Sequence, residues 1–222
     1  MDVTYLLIIL CYLVLMIYLM MKGKTKRKAG KLMQLLNVTL DPGQYVEEVT
    51  VIIKGGVDKR TATILNNNLA TAYGQLGEYD KAIKIYKEVL SEPKFNYHGV
   101  VNGQLTQMYL AKKDVPAAQK SWQVFKRALS PKHEKSLERY VRSIEGHFAL
   151  LDGEYEQSLA THLDLLSSVQ AKGEEVHLRY RLAETYEKLG QRDEQKEQLA
   201  FVAEHGNKLH IANLARQQLQ EM

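Results

Sequence analysis

The pattern of apolar and polar positions changes character once along this chain. From Val3 to Met21 it is continuous: VTYLLIILCYLVLMIYLMM holds no charge, no proline and no glycine. At ~1.5 Å per residue such a run makes a helix of roughly 28 Å, close to the hydrocarbon thickness of a bilayer. With no polar face to meet water, it predicts a transmembrane helix over 1–21. Tyr5 and Tyr18 fall near its two ends, where amphipathic rings favour the interface. After residue 31 the pattern becomes periodic. Apolar residues return every three or four positions between short polar turns, which predicts a series of amphipathic helices over 32–222.

Charge orients the first element. Residues 22–31, KGKTKRKAGK, carry Lys22, Lys24, Lys26, Arg27, Lys28 and Lys31 and no acid. This juxtamembrane block takes six of the 30 basic residues, leaving 24, while Asp2 is the sole acid before it among 26, leaving 25 for the rest. The body is therefore near neutral, and the basic balance gives no support for nucleic-acid binding. Basic residues flanking a span stay cytoplasmic. The short N-terminus is expected outside and the helical body in the cytosol, with the basic flank also able to gather anionic lipid. The bacterial plasma membrane is the expected site, the mitochondrial outer membrane the alternative. A cleaved signal would carry its charge before the run and small residues at its end, and Met20-Met21-Lys22 offers neither. Ile9-Leu10 before Cys11 does not fit a lipoprotein signal. The lone Cys11 excludes an internal disulfide and a cysteine zinc site within one chain.

The periodic region repeats itself. Residues 63–94 read TILNNNLATAYGQLGEYDKAIKIYKEVLSEPK: an apolar helix to Tyr73, a Gly77-Glu78-Tyr79 turn, then Ala82 and Tyr86. This stretch resembles a tetratricopeptide repeat, a 34-residue helix–turn–helix unit, with Gly77, Tyr79, Ala82 and Tyr86 at matching positions. Copies are expected near 29–62, 63–96, 99–132, 139–172 and 176–209. In the first, stepping back 34 residues places Gly43 and Tyr45 in the turn, with Asp41-Pro42 as a helix start. Glu48 then stands where a small residue belongs, and Gly55-Gly56 ends the second helix. The third has Tyr109, Val115, Ala118, Trp122 and Phe125, with Lys113-Asp114 in its turn. The fourth has Ala149, Gly153, Tyr155, Ser158, His162 and Leu165. The fifth has Leu182, Ala183, Tyr186, Gly190, Leu199 and Val202, with Arg192 and Gln195 off pattern. Residues 210–222 read as a capping helix. The fold expected is all-α: a solenoid of about five helix pairs plus a cap, preceded by one transmembrane helix. The aromatics Tyr73, Tyr79, Tyr86, Tyr109, Trp122, Tyr155 and Tyr186 read as core.

Candidate chemistry adds little. The histidines at 98, 133, 147, 162, 177, 205 and 210 form no HExxH or Cys/His spacing, and no phosphate-binding glycine loop or GxSxG is present. Acidic pairs such as Glu47-Glu48 and Glu174-Glu175 read as solvated faces. No enzyme, cofactor or metal is expected. What the resemblance implies is a concave groove lined by first helices, for a protein or peptide partner. Its lining would be Asn67, Asn68, Thr71, Gln104, Gln107, Tyr140, Ser143, His147, His177, Tyr180, Arg181 and Glu184. Relatives that clamp a chaperone's C-terminal carboxylate use cations where this chain has Asn67, Tyr140 and Ile144, so that subclass is not expected. The expected role is a membrane-tethered scaffold or adaptor, with a chaperone-like or translocation-associated assembly subunit as the alternative. Oligomeric state is not legible.

Overall fold

The computed structural model describes residues 31–93 and 98–222, with residues 131–134 described by backbone alone. Among them lie eleven helices and no strand. The helices run α1 (31–37), α2 (Pro42–Lys54), α3 (Lys59–Gln75), α4 (Tyr79–Leu90), α5 (His98–Ala111), α6 (Val115–Ala128), α7 (Pro131–Asp152), α8 (Tyr155–Ser167), α9 (Lys172–Leu189), α10 (Arg192–His205) and α11 (His210–Glu221). The expected span over 1–21 and most of the basic block lie outside the described residues. No described helix is long and apolar enough to cross a membrane.

Local sequence explains the hairpins. Asp41, Asp58 and Asp114 cap α2, α3 and α6 by accepting the amides of Gln44, Thr61 and Ala117 at 3.0, 3.0 and 3.2 Å. Pro42 and Pro116 stand in the first turns of α2 and α6, where a missing N–H costs nothing. In α4, Ala82, Ile83, Tyr86 and Val89 form one buried face at helical spacing while the lysines point outward. Each pair is closed by a residue of positive φ: Leu40 (54°), Gly77 (80°), Lys113 (60°), Gly153 (86°) and Gly190 (71°).

That series corrects the register of the first copy. Gly43 lies inside α2, and the turn position belongs to Leu40, three residues earlier. In the corrected register the small-residue position is held by Tyr45, Ala82, Ala118 and Ser158, all at most 1% exposed. Four residues on, Val49, Tyr86, Trp122, His162 and Leu199 are buried. The turns repeat every 37, 36, 40 and 37 residues. The surplus over 34 sits largely in helix, as in the 22-residue α7 and 18-residue α9.

Helices pack in chain order, with α6 meeting α7 through Trp122 and Phe125 against Tyr140, Ile144 and Phe148. First helices of successive pairs (α3, α5, α7, α9) also touch one another, which places them on the inside of the curvature. Four apolar clusters follow the array. They centre on Leu36, Tyr45 and Val49; on Ala70, Tyr86 and Leu105; on Leu110, Trp122 and Ile144; and on Val176, Leu199 and Ala212. Burial of each such leucine contributes ~1.5–3 kcal/mol. The cap α11 covers the last pair with Ile211, Ala212 and Ala215 and turns Asn213, Arg216 and Gln217 outward. Of the expected core aromatics, Tyr86, Trp122 and Tyr186 are buried and Tyr73, Tyr79, Tyr109 and Tyr155 half-buried.

Candidate functional site

The inner helices α3, α5, α7 and α9 carry the expected groove residues. On α3, Thr71 Oγ1 is 2.8 Å from the Tyr86 hydroxyl, and Gln104 Nε2 of α5 donates to that Thr71 oxygen at 3.4 Å. Asn67 donates to Asn68 Oδ1 at 3.5 Å, and Asn68 in turn reaches the Met33 sulfur at 3.7 Å. Gln107 is half-buried on the same helix as Gln104. Tyr140 of α7 lies edge-on to Phe125, ring centres 5.7 Å apart. Its hydroxyl comes so close to Gly103 that a Cβ there would stand 2.9 Å from it.

Towards the C-terminal end the lining becomes electrostatic. Arg181 of α9 pairs with Glu184 one turn on, and its guanidinium lies 5.7 Å from the centre of the Tyr180 ring. Its charge reaches three histidines on three helices. Burial, then Arg181, then His162 hold His147 well below the usual imidazole range. Burial, then Arg181, bring His162 to about 4 against the backbone carbonyls that favour its proton. The same two causes bring His177 to about 4. All three are therefore neutral at pH 7. His162 is fully buried and packs on Gly146 of α7, where a Cβ would be 3.0 Å from its ring. Its Nδ1 is 3.3 Å from Ser158 Oγ, which is 3.2 Å from Thr185 Oγ1, whose hydroxyl donates to the Arg181 carbonyl at 2.8 Å. Ser143 is half-buried beside this network.

Two residues differ in place from the rest of the expected lining. Tyr180 is 5% exposed and belongs to the last apolar cluster, packed with Leu40, Val176 and Ala183. His147 is 6% exposed beneath the surface of α7. The acidic pair Glu174-Glu175 is not merely solvated. Glu174 accepts two hydrogen bonds from Arg139, at 3.1 and 2.8 Å, and Glu175 pairs with Arg179 at 2.9 Å.

Five buried side-chain atoms in this region have no hydrogen-bond partner: Asn67 Oδ1, Gln75 Oε1, Gln104 Oε1, Tyr140 OH and His162 Nε2. Gln75 was not singled out by sequence, since its role follows from the end of α3 facing Leu36, whose carbonyl it reaches at 3.5 Å. Among the described residues no group of three or more His, Cys, Asp or Glu side chains is arranged to hold a metal. The lining offers amides, hydroxyls and neutral imidazoles, with one cation already paired. Such a surface is chemically fitted to hydrogen-bond a neutral polar chain.

A family model described as Tetratricopeptide repeat matches residues 65–94 and 176–200. The first stretch spans most of α3 and α4, and the second most of α9 and the start of α10. These are the second and fifth helix pairs. No curated protein matches the chain.

Proposed function

We propose that this protein is a non-catalytic, membrane-tethered scaffold that recruits a protein or peptide to the inner face of its helix-pair array on the cytoplasmic side. The observation that carries the reading is the set of buried amide and hydroxyl atoms left without partners along the first helices, Asn67, Gln104 and Tyr140 among them. A buried polar atom left unmatched costs ~1–3 kcal/mol. An extended backbone, alternating N–H and C=O, supplies what those atoms lack. The two matched repeats support a protein partner. The ion pair of Arg181 with Glu184 favours a partner segment of low net charge. The tether rests on the apolar run over 3–21 and the six cations after it. Confinement to a membrane raises the effective concentration towards other membrane components.

Proximity labelling from a C-terminal tag tests the reading in cells. The expected result is a small set of cytosol-facing neighbours, at least one of which falls ten-fold or more in the Gln104→Ala/Arg181→Ala variant at equal expression. Identical neighbour sets for the two forms would sink the groove. A broad spread of apolar peptides, equally weakly held, would favour the chaperone-like alternative. A C-terminus protected from protease on the cytosolic side would reverse the orientation.

A further inference from the structure

Leu40 breaks the rule its four counterparts suggest. At the turn positions where glycine relieves the steric cost of a left-handed backbone, this chain places Gly77, Gly153 and Gly190, and Lys113 once with its side chain in water. Leu40 adopts φ 54° with a bulky side chain that is 1% exposed. That side chain is not part of the apolar cluster of its own repeat, which holds Leu36, Tyr45 and Val49. It is buried at the opposite end of the array, with Val176 and Tyr180 of α9, Leu199 of α10 and Leu209 and Ile211 at the start of α11. A strained leucine held by residues far along the chain marks a contact that the backbone alone would not choose.

The surroundings of Leu40 complete that contact. Lys208 N donates to the Leu40 carbonyl at 3.2 Å, and Asn207 Nδ2 to the Thr39 carbonyl at 2.6 Å. Lys208 Nζ pairs with Asp41 at 2.6 Å, so Asp41 both caps α2 and holds the far corner. Burial pushes the Asp41 carboxyl up, and Lys208 with the Gln44 amide outweighs this and keeps it below the usual range. A second turn adds to the contact. The His210 ring meets Tyr79 edge-on at 6.1 Å and lies where a Cβ on Gly77 would be, 2.5 Å from its Cγ.

We propose that this contact is a latch. The first two turns dock on the 206–210 corner and on α9, closing the array into a ring and covering the inner face. The ring opens there without breaking any interface between neighbouring helix pairs. Neighbouring pairs along the first four are joined by shared apolar clusters of many side chains, whereas the latch consists of one leucine, a few polar contacts and one edge-on ring. Opening uncovers Val176 and Tyr180 and gives a chain-sized partner a way in to the unpartnered polar atoms. The latch does not depend on which partner the inner face takes, and its test needs no partner.

The test is hydrogen exchange, read by mass spectrometry on the 222-residue chain, with small-angle scattering for size. Leu40→Gly relieves the left-handed strain while removing the plug, so α1 and α2 keep their hairpin. Lys208→Ala cuts the ion pair at an exposed side chain and leaves the fold intact. In the double variant, amides over 173–181 and 206–212 are expected to exchange at least ten-fold faster and the radius of gyration to rise. Amides of α5 and α6 stay as in the parent. Lys208→Ala alone gives a smaller acceleration in the same two stretches. Acceleration spread evenly over every helix overturns the latch, as does none at 173–181 in the double variant.

Discussion

Gly77 and Gly153 hold the same place in their turns and differ in what surrounds them. Both have φ above 80° or close to it, so an alanine at either carries the left-handed cost of ~1 kcal/mol. Nothing lies within 4 Å of a Cβ at Gly153, whereas at Gly77 the His210 ring stands 2.5 Å away. Thermal unfolding of Gly77→Ala and Gly153→Ala separates the two effects. Gly153→Ala is expected to lose about 1 kcal/mol. Gly77→Ala loses more, by ~1 kcal/mol or above, because the ring of His210 must move and the edge-on contact with Tyr79 goes with it. Equal losses would show that the close approach of α11 adds nothing to stability.

The elements were legible in sequence where a single residue type carries a single physical job. Asp41 and the glycines of the later turns, Gly77, Gly153 and Gly190, announce helix ends through hydrogen bonding and φ. Replacing Asp114 by Ala removes the acceptor of the Ala117 amide. This is expected to cost about 1 kcal/mol and to lower the melting temperature by ~2–4 °C, with helical content by circular dichroism unchanged. The first hairpin was misplaced by three residues because its turn residue is a leucine. Its reason for being there lies over a hundred residues away, and no local signal encodes that. The same holds for α9. Its buried residues Val176, Leu178, Tyr180, Leu182 and Thr185 lie on more than one face, since the helix is covered by α8, α10 and the first turn together. Sequence assigned Tyr180 to the groove because the resemblance treats a first helix as one-sided. Asn67, Thr71, Gln104 and Arg181 were assigned to first helices from position, and α3, α5 and α9 carry them. The missing partners of the buried atoms among them needed coordinates.

At the scale of the whole molecule, the interior stores a response to acid. His162 and His177 have folded-state values of about 4, below the ordinary 6.5, and His147 lies lower than the ordinary value too. Between pH 6.5 and 4 the unfolded chain takes up protons that the folded one refuses, so stability falls as pH falls across that window. For the fully buried His162 the contribution is of order 3 kcal/mol. Asp41 acts below the window. Its depressed carboxyl supports the folded state above the ordinary 3.8 and gives up that support as it protonates. Denaturant midpoints measured at steps from pH 7 to 4 are expected to drop steadily. The drop should be shallower in His162→Gln, which has no proton to take up. A flat profile in the parent would contradict the buried, neutral state of these histidines.

The hydrogen bond from Asn207 to Thr39 joins residues 168 apart in sequence, and this bears on how the molecule is made. During synthesis the α1 and α2 hairpin is complete long before residues 206–210 leave the ribosome. Until then nothing from α9 or α11 is present to bury Leu40, and the inner face of the early pairs is open. The closing step comes last. Its entropic cost is small for its span, because the helix pairs built in between act as a rigid arc and not as a loose loop. A nascent chain is thus an open form of the same molecule, and the inner face is accessible before the ring exists.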